Sequence, residues 1–192
     1  ESGDNRKPVI FLFPGTCCLY SSFDHVLDGL HSYFYTVAVS YDGFDPNEKT
    51  EFYSMEDECE KIEQEIRTKY GGRIKAAYGC SLGGSFVSLL IQRKRIHIDH
   101  GIIGSSDMDE AGSFMAKLQS SIIVPIMYKM VHTGKLPKFM KKKINEADES
   151  RKKLIDGFVN MFGIDKGGSP WITKQSVYNQ FYSDLVTKVQ HG

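Results

Sequence analysis

One stretch constrains this chain more than any other: the mostly apolar segment Ile74 to Tyr78, broken only by Lys75, then Gly79-Cys80-Ser81-Leu82-Gly83, then a helix-forming segment from Gly83 to Gln92. A short apolar run bounded by glycine reads as a buried strand, and the residues after it carry the spacing of a helix. Glycines at 79 and 83 remove the Cβ atoms that would collide where strand and helix approach closely. A serine centred in such a turn is lifted away from its own backbone at the end of a strand. The segment therefore predicts a strand, a sharp turn and a helix packed back on the sheet.

The first half of the chain repeats this alternation. Val9 to Phe13 is apolar throughout and closed by Pro14-Gly15, as expected of a strand covered on both faces. Phe23, Val26, Leu27 and Leu30 have helical spacing, and Thr36 to Val39 supplies the next short strand. Met55 to Tyr70 keeps Cys59, Ile62 and Ile66 on one stripe of a charged helix that Gly71-Gly72 ends, and Ile98 to Ile103 reads as a fourth strand. Strand candidates nearly vanish after Asp109. Phe114 to Val131, Leu136 to Phe162 and Thr173 to Val189 read as helices. The expected architecture is α/β: a mostly parallel central sheet with flanking helices over residues 1–110, and a C-terminal helical cap over residues 111–192.

With 192 residues, 41% of them hydrophobic, one substantial core can form. Lys plus Arg and Asp plus Glu each number 24, so no global field draws the chain to nucleic acid or to an anionic membrane. The basic run from Lys138 to Lys153 is interleaved with Glu146, Asp148 and Glu149 and reads as a solvated helix face. Cys17, Cys18, Cys59 and Cys80 fit neither a disulfide framework nor a zinc site by spacing, which favours a reducing compartment. No apolar run is long enough to span a bilayer. The expected setting is the cytoplasm.

A serine hydroxyl is a poor nucleophile and needs a base beside it and donors for the oxyanion that develops. In this sequence Ser81 is the candidate nucleophile, and the Leu82 N–H at the start of the following helix is one donor. The turn after the first strand would emerge at the same edge of a parallel sheet, and Gly15 would let the Thr16 N–H face Ser81 as the second donor, with the Cys17 N–H as the alternate. A plain Gly-rich turn would carry none of this chemistry.

Taken together, the segment from Val9 to Asp107 resembles the α/β-hydrolase superfamily, in the subgroup with a helical cap. Pro14-Gly15-Thr16 resembles its oxyanion loop, Ala38 to Gly43 the next strand and loop, and Gly79 to Gly83 its nucleophile elbow. The resemblance implies acyl hydrolysis of a small-molecule substrate through a serine, acid and histidine triad, with neither a metal nor an organic cofactor. It implies an acid and a base after further strands, which this sequence does not offer. Asp107 is the candidate acid, with Asp109 beside it, and His191 in His191-Gly192 is the candidate base, unless the base lies beyond these residues. His25, His31, His97, His100 and His132 fall on helices or at the wrong strand ends. Apolar positions of the first cap helix, such as Phe114, Leu118, Ile122 and Met127, would line an acyl pocket or simply belong to the core. Two other readings stay open: a binding protein that keeps the fold without a working base, and a thioesterase or acyltransferase using the same serine.

Overall fold

The computed structural model describes residues 1–106, 110–138, 148–162 and 167–189. Strands β1 (Val9–Phe13), β2 (Tyr35–Ala38), β3 (Arg73–Cys80) and β4 (His97–Gly104) form one parallel sheet in the order β2-β1-β3-β4. The uniformly apolar sequence of β1 follows from its place between two neighbours with both faces covered. Phe11 and Phe13 join Ile62, Ile66, Phe86 and Leu90 in the larger core, while Ile10, Leu12 and Ala76 pack with Phe23 in a smaller one.

The smaller core lies under a 3-10 turn (Tyr20–Phe23) and helix α1 (Asp24–His31). The larger lies under α2 (Met55–Tyr70) and α3 (Leu82–Arg93). Helix α2 starts where Ser54 accepts a hydrogen bond from the Asp57 N–H at 3.1 Å and ends at Gly71, whose φ of 63° a β-carbon would disfavour. Its acidic first turn and basic last turn suit the helix dipole. Glu63 of α2 is fully buried and is held by Arg93 of α3 at 2.6 Å.

The second half is helical wherever it is described, apart from connecting turns: α4 (Ser113–Thr133), α5 (Glu149–Met161) and α6 (Lys174–Val186). The single helix expected over Leu136 to Phe162 does not form. Leu136 and Pro137 lie outside any helix, Pro137 disfavouring the helical region for Leu136, and Asp148 interrupts the expected span further on. Helix α5 begins afresh at Glu149, where the Asp148 carboxylate accepts from the Arg151 N–H at 2.9 Å. Among the described residues no helix is long and apolar enough to cross a membrane.

Candidate active site

Ser81 occupies the one-residue junction between β3 and α3, with φ 54° and ψ −124°, and is exposed. L-residues rarely adopt this conformation, which costs on the order of 1–3 kcal/mol. It is enforced by close packing: a Cβ on Gly79 would collide with the backbone of Gly83, and one on Gly83 with the Phe13 carbonyl. The Ser81 N–H donates to the Gly104 carbonyl at 2.8 Å and its own carbonyl accepts from the Gly84 N–H at 2.7 Å. Leu82 is buried and opens α3, a position where an amide has no acceptor within its helix.

The loop after β1 abuts this turn. A Cβ built on Gly15 would lie 3.5 Å from the Ser81 Cβ and 3.3 Å from the Cys80 carbonyl oxygen. The chain reverses through a turn closed by the Cys18 N–H on the Gly15 carbonyl at 3.0 Å, with Cys17 at φ 60°. Two distant residues brace it. The buried Tyr41 hydroxyl donates to the Pro14 carbonyl at 3.0 Å while its ring stacks on Phe86 with centroids 4.7 Å apart. Gln180 of α6 accepts the Cys17 N–H on its Oε1 at 2.7 Å. That bond engages the alternate donor of the sequence reading, and Thr16 stands half-buried just before it.

The sequence candidates for acid and base, Asp107, Asp109 and His191, lie outside the described residues. The other histidines are placed. His25 lines a cavity beside α1, His31 bonds Ser2 at 2.8 Å, and His97 pairs with Asp99 at 3.2 Å. His100 is exposed on β4, and His132 packs against Tyr128 with centroids 4.9 Å apart. Among the described residues no imidazole hydrogen-bonds the Ser81 hydroxyl.

Burial decides against Cys17 and Cys18 as nucleophiles. It pushes Cys17 far up and Cys18 up to about 12, so both stay protonated and inert near neutrality. Glu58, a buried residue of α2, is raised to about 7, first by desolvation and then by the neighbouring Asp42 carboxylate. The oxygens of Asp42, Asp57 and Glu58 come within 4.8 Å of one another, but the Lys61 ammonium stands among them at 2.6, 2.5 and 3.6 Å. An ion-pair network accounts for that cluster.

An apolar cavity of about 420 Å³ reaches the turn through Gly15 and Cys80, between Leu12, Tyr78 and Ile102 of the sheet and Val26 of α1. Helix α4 does not line it. Phe114, Leu118 and Ile122 are exposed, Met127 is half-buried, and Met130 belongs to the core. Tyr41 and Gln180 were not singled out by sequence. The loop resemblance around residues 38–43 pointed near the first, and no local pattern marks the second.

No family model and no curated protein matches the chain. Solved structures do. An alpha/beta hydrolase family protein from Desulfitobacterium hafniense matches with a TM-score of 0.73 at 15% identity over 96% of this chain and 70% of that one. MenH from S. aureus matches at 0.69 and 9% identity over 97% and 71%. A structure from work on carboxylesterases of the thaumarchaeon Nitrososphaera gargenis matches at 0.66 and 15% over 96% and 66%. The chain thus spans about two thirds to seven tenths of the structures it resembles. The likeness establishes the α/β-hydrolase fold, and the structures that share it include hydrolases, esterases and a thioesterase.

Proposed function

We propose that this α/β-hydrolase-fold chain is a serine acyl hydrolase that cleaves small carboxylic esters or related acyl compounds through Ser81. The observation that carries the reading is the strained backbone of Ser81, φ 54°, at an exposed strand-to-helix turn. A fold retains such strain where it serves a site, and here it presents a hydroxyl at the edge where parallel-sheet proteins bind ligands. In the proposed reaction Ser81 Oγ attacks the substrate carbonyl carbon and gives up its proton to a base, and the oxyanion is held by the N–H groups of Thr16 and Leu82. Collapse expels the alcohol, which takes that proton, and water then hydrolyses the acyl-serine. Within this sequence Asp107 and His191 are the proposed acid and base. Residues 1–110 are read as the catalytic core and 111–192 as the cap, in a cytoplasmic protein whose free thiols suit a reducing compartment.

The test is covalent labelling of Ser81 by a fluorophosphonate, read by intact mass. Rapid addition of one phosphonyl group, lost in Ser81→Ala, is the expected result. A wild-type chain left unlabelled would instead favour the non-catalytic reading, which the lack of an imidazole on the Ser81 hydroxyl among the described residues supports. Parallel turnover of a short-chain p-nitrophenyl ester and an acyl thioester separates esterase from thioesterase activity.

A further inference from the structure

Helix α6 meets the loops at the carboxyl edge of the sheet through polar side chains. Ser176 Oγ accepts from the Phe52 N–H at 3.2 Å, Asn179 Nδ2 donates to the Phe52 carbonyl at 2.9 Å, and Gln180 Oε1 accepts from the Cys17 N–H at 2.7 Å. Gln180 is wholly buried, and its Nε2 has no hydrogen-bond partner among the described residues. Burying a primary amide with its donor unmet is costly. The one bond it does make is therefore the feature to explain.

We propose that Gln180 is a positioning residue for the proposed oxyanion loop, fixing the apex of the turn Gly15–Cys18 beside Ser81 and so holding in place the loop that carries the Thr16 N–H. The inference rests on Ser81 being the nucleophile. A four-residue turn closed between Gly15 and Cys18 has two common forms, related by a flip of the peptide between its central residues. The form observed places Cys17 at φ 60°, a conformation that favours glycine and disfavours cysteine. In the other form Cys17 would relax to negative φ and its N–H would point away from α6. Gln180 Oε1 can accept that N–H only in the observed form, so the bond opposes the relaxation. The flip leaves φ of Thr16 nearly unchanged and does not itself turn the Thr16 N–H; what the Cys17–Gln180 bond fixes is the place of the apex, and with it the place from which that N–H is presented. Tyr41 fixes the Pro14 carbonyl at the loop's start, and Gln180 fixes its apex.

The proposal depends on an acceptor at this position, which separates it from a general packing role. The experiment measures the second-order rate of Ser81 phosphonylation by a fluorophosphonate, with thermal midpoints in parallel, in the full chain. Gln180→Met keeps length and loses the acceptor, and the labelling rate should fall about ten- to a hundredfold, less than the loss of an oxyanion donor itself. Gln180→Glu keeps an acceptor oxygen in either protonation state and should retain the rate within about threefold. Asn179→Ala removes a neighbouring bond of the same helix that does not touch the β1 loop. It should lower the thermal midpoint and leave the labelling rate unchanged. Labelling of Gln180→Met at the wild-type rate, equal slowing in Gln180→Glu, or equal slowing in Asn179→Ala would each overturn the Gln180 role while leaving Ser81 in place. A wild-type chain no more reactive than Ser81→Ala would overturn the Ser81 reading, and this inference with it.

Discussion

The Ser81 N–H reaches across to the Gly104 carbonyl at 2.8 Å, so the residue that leaves β3 for α3 stays fastened to the end of β4. The pairing of Cys80 with Gly104 runs the β3–β4 ladder up to this point. The turn is thus clamped by the sheet on one side and by the first turn of α3 on the other, and the strained backbone between them has nowhere to relax.

That strain gives a prediction in which stability and chemistry part company. Glycine adopts φ 54° without penalty, so Ser81→Gly should raise the unfolding free energy by about 1 kcal/mol. Ser81→Ala keeps the β-carbon and should stay within about 1 kcal/mol of wild type. Both should lose phosphonylation and ester turnover. Denaturant unfolding beside mass spectrometry checks the pair, and a Ser81→Gly variant less stable than Ser81→Ala would refute the strain.

At Gly79 and Gly83 the obstacle is backbone rather than side chain. An added methyl would strike Gly83 in one case and the Phe13 carbonyl in the other. Gly79→Ala and Gly83→Ala should each destabilise by about 3 kcal/mol or more, because neither β1 nor α3 can retreat without opening the core. Gly29→Ala, where a Cβ meets nothing within 4 Å, is the matched control and should not destabilise the chain.

Much of this was legible in the sequence because it is local. The apolar run of β1, the Gly-x-Ser-x-Gly turn and the capped helix from Met55 to Tyr70 each carry their signal within a few residues. Helix periodicity over Leu136 to Phe162 misled at Asp148, which lies outside any helix and caps the one that starts at Glu149. The brace between Cys17 and Gln180 joins positions 163 apart, and nothing in either neighbourhood encodes the other. The apolar stripe of α4 was ambiguous for a related reason: Phe114, Leu118 and Ile122 keep helical spacing, but whether that face meets core or solvent depends on elements far away in the chain.

Glu58 predicts a pH dependence. Its folded-state pKa stands at about 7 against an ordinary 4.5, so the native chain holds a proton that the unfolded chain releases between those values. Stability therefore falls as pH rises through that window. The penalty is absent below it and complete above it, amounting to about 3 kcal/mol. Glu58→Gln should remove this portion of the slope and be the more stable protein at about pH 8. Unfolding curves from about pH 5 to about pH 8 test it, and parallel slopes for both proteins would count against it.

The Arg93–Glu63 pair predicts an asymmetric response. Glu63 is fully buried, so Arg93→Met strands a carboxylate with Arg95, 3.5 Å away, as its remaining cation among the described residues. The loss should be about 3 kcal/mol, whereas Glu63→Gln with Arg93 intact should cost less, since Arg93 keeps the Glu60 carboxylate at 3.3 Å. A double-mutant cycle on the two residues measures the coupling directly.

Strand β4 forms one margin of the four-stranded sheet, with Ile102 and Ile103 still 48% and 42% exposed on its opposite faces. Among the described residues no strand pairs with its outer edge, and a margin of this kind is an adhesive seam: extended backbone flanked by oily side chains on both sides. The charged groups that would blunt it, Asp99 and its basic partners, crowd the strand's beginning and leave its end bare. Handling of the isolated chain should reflect this, with soluble yield on refolding falling as protein concentration rises, and recovering when Ile102→Lys places a positive charge on the seam.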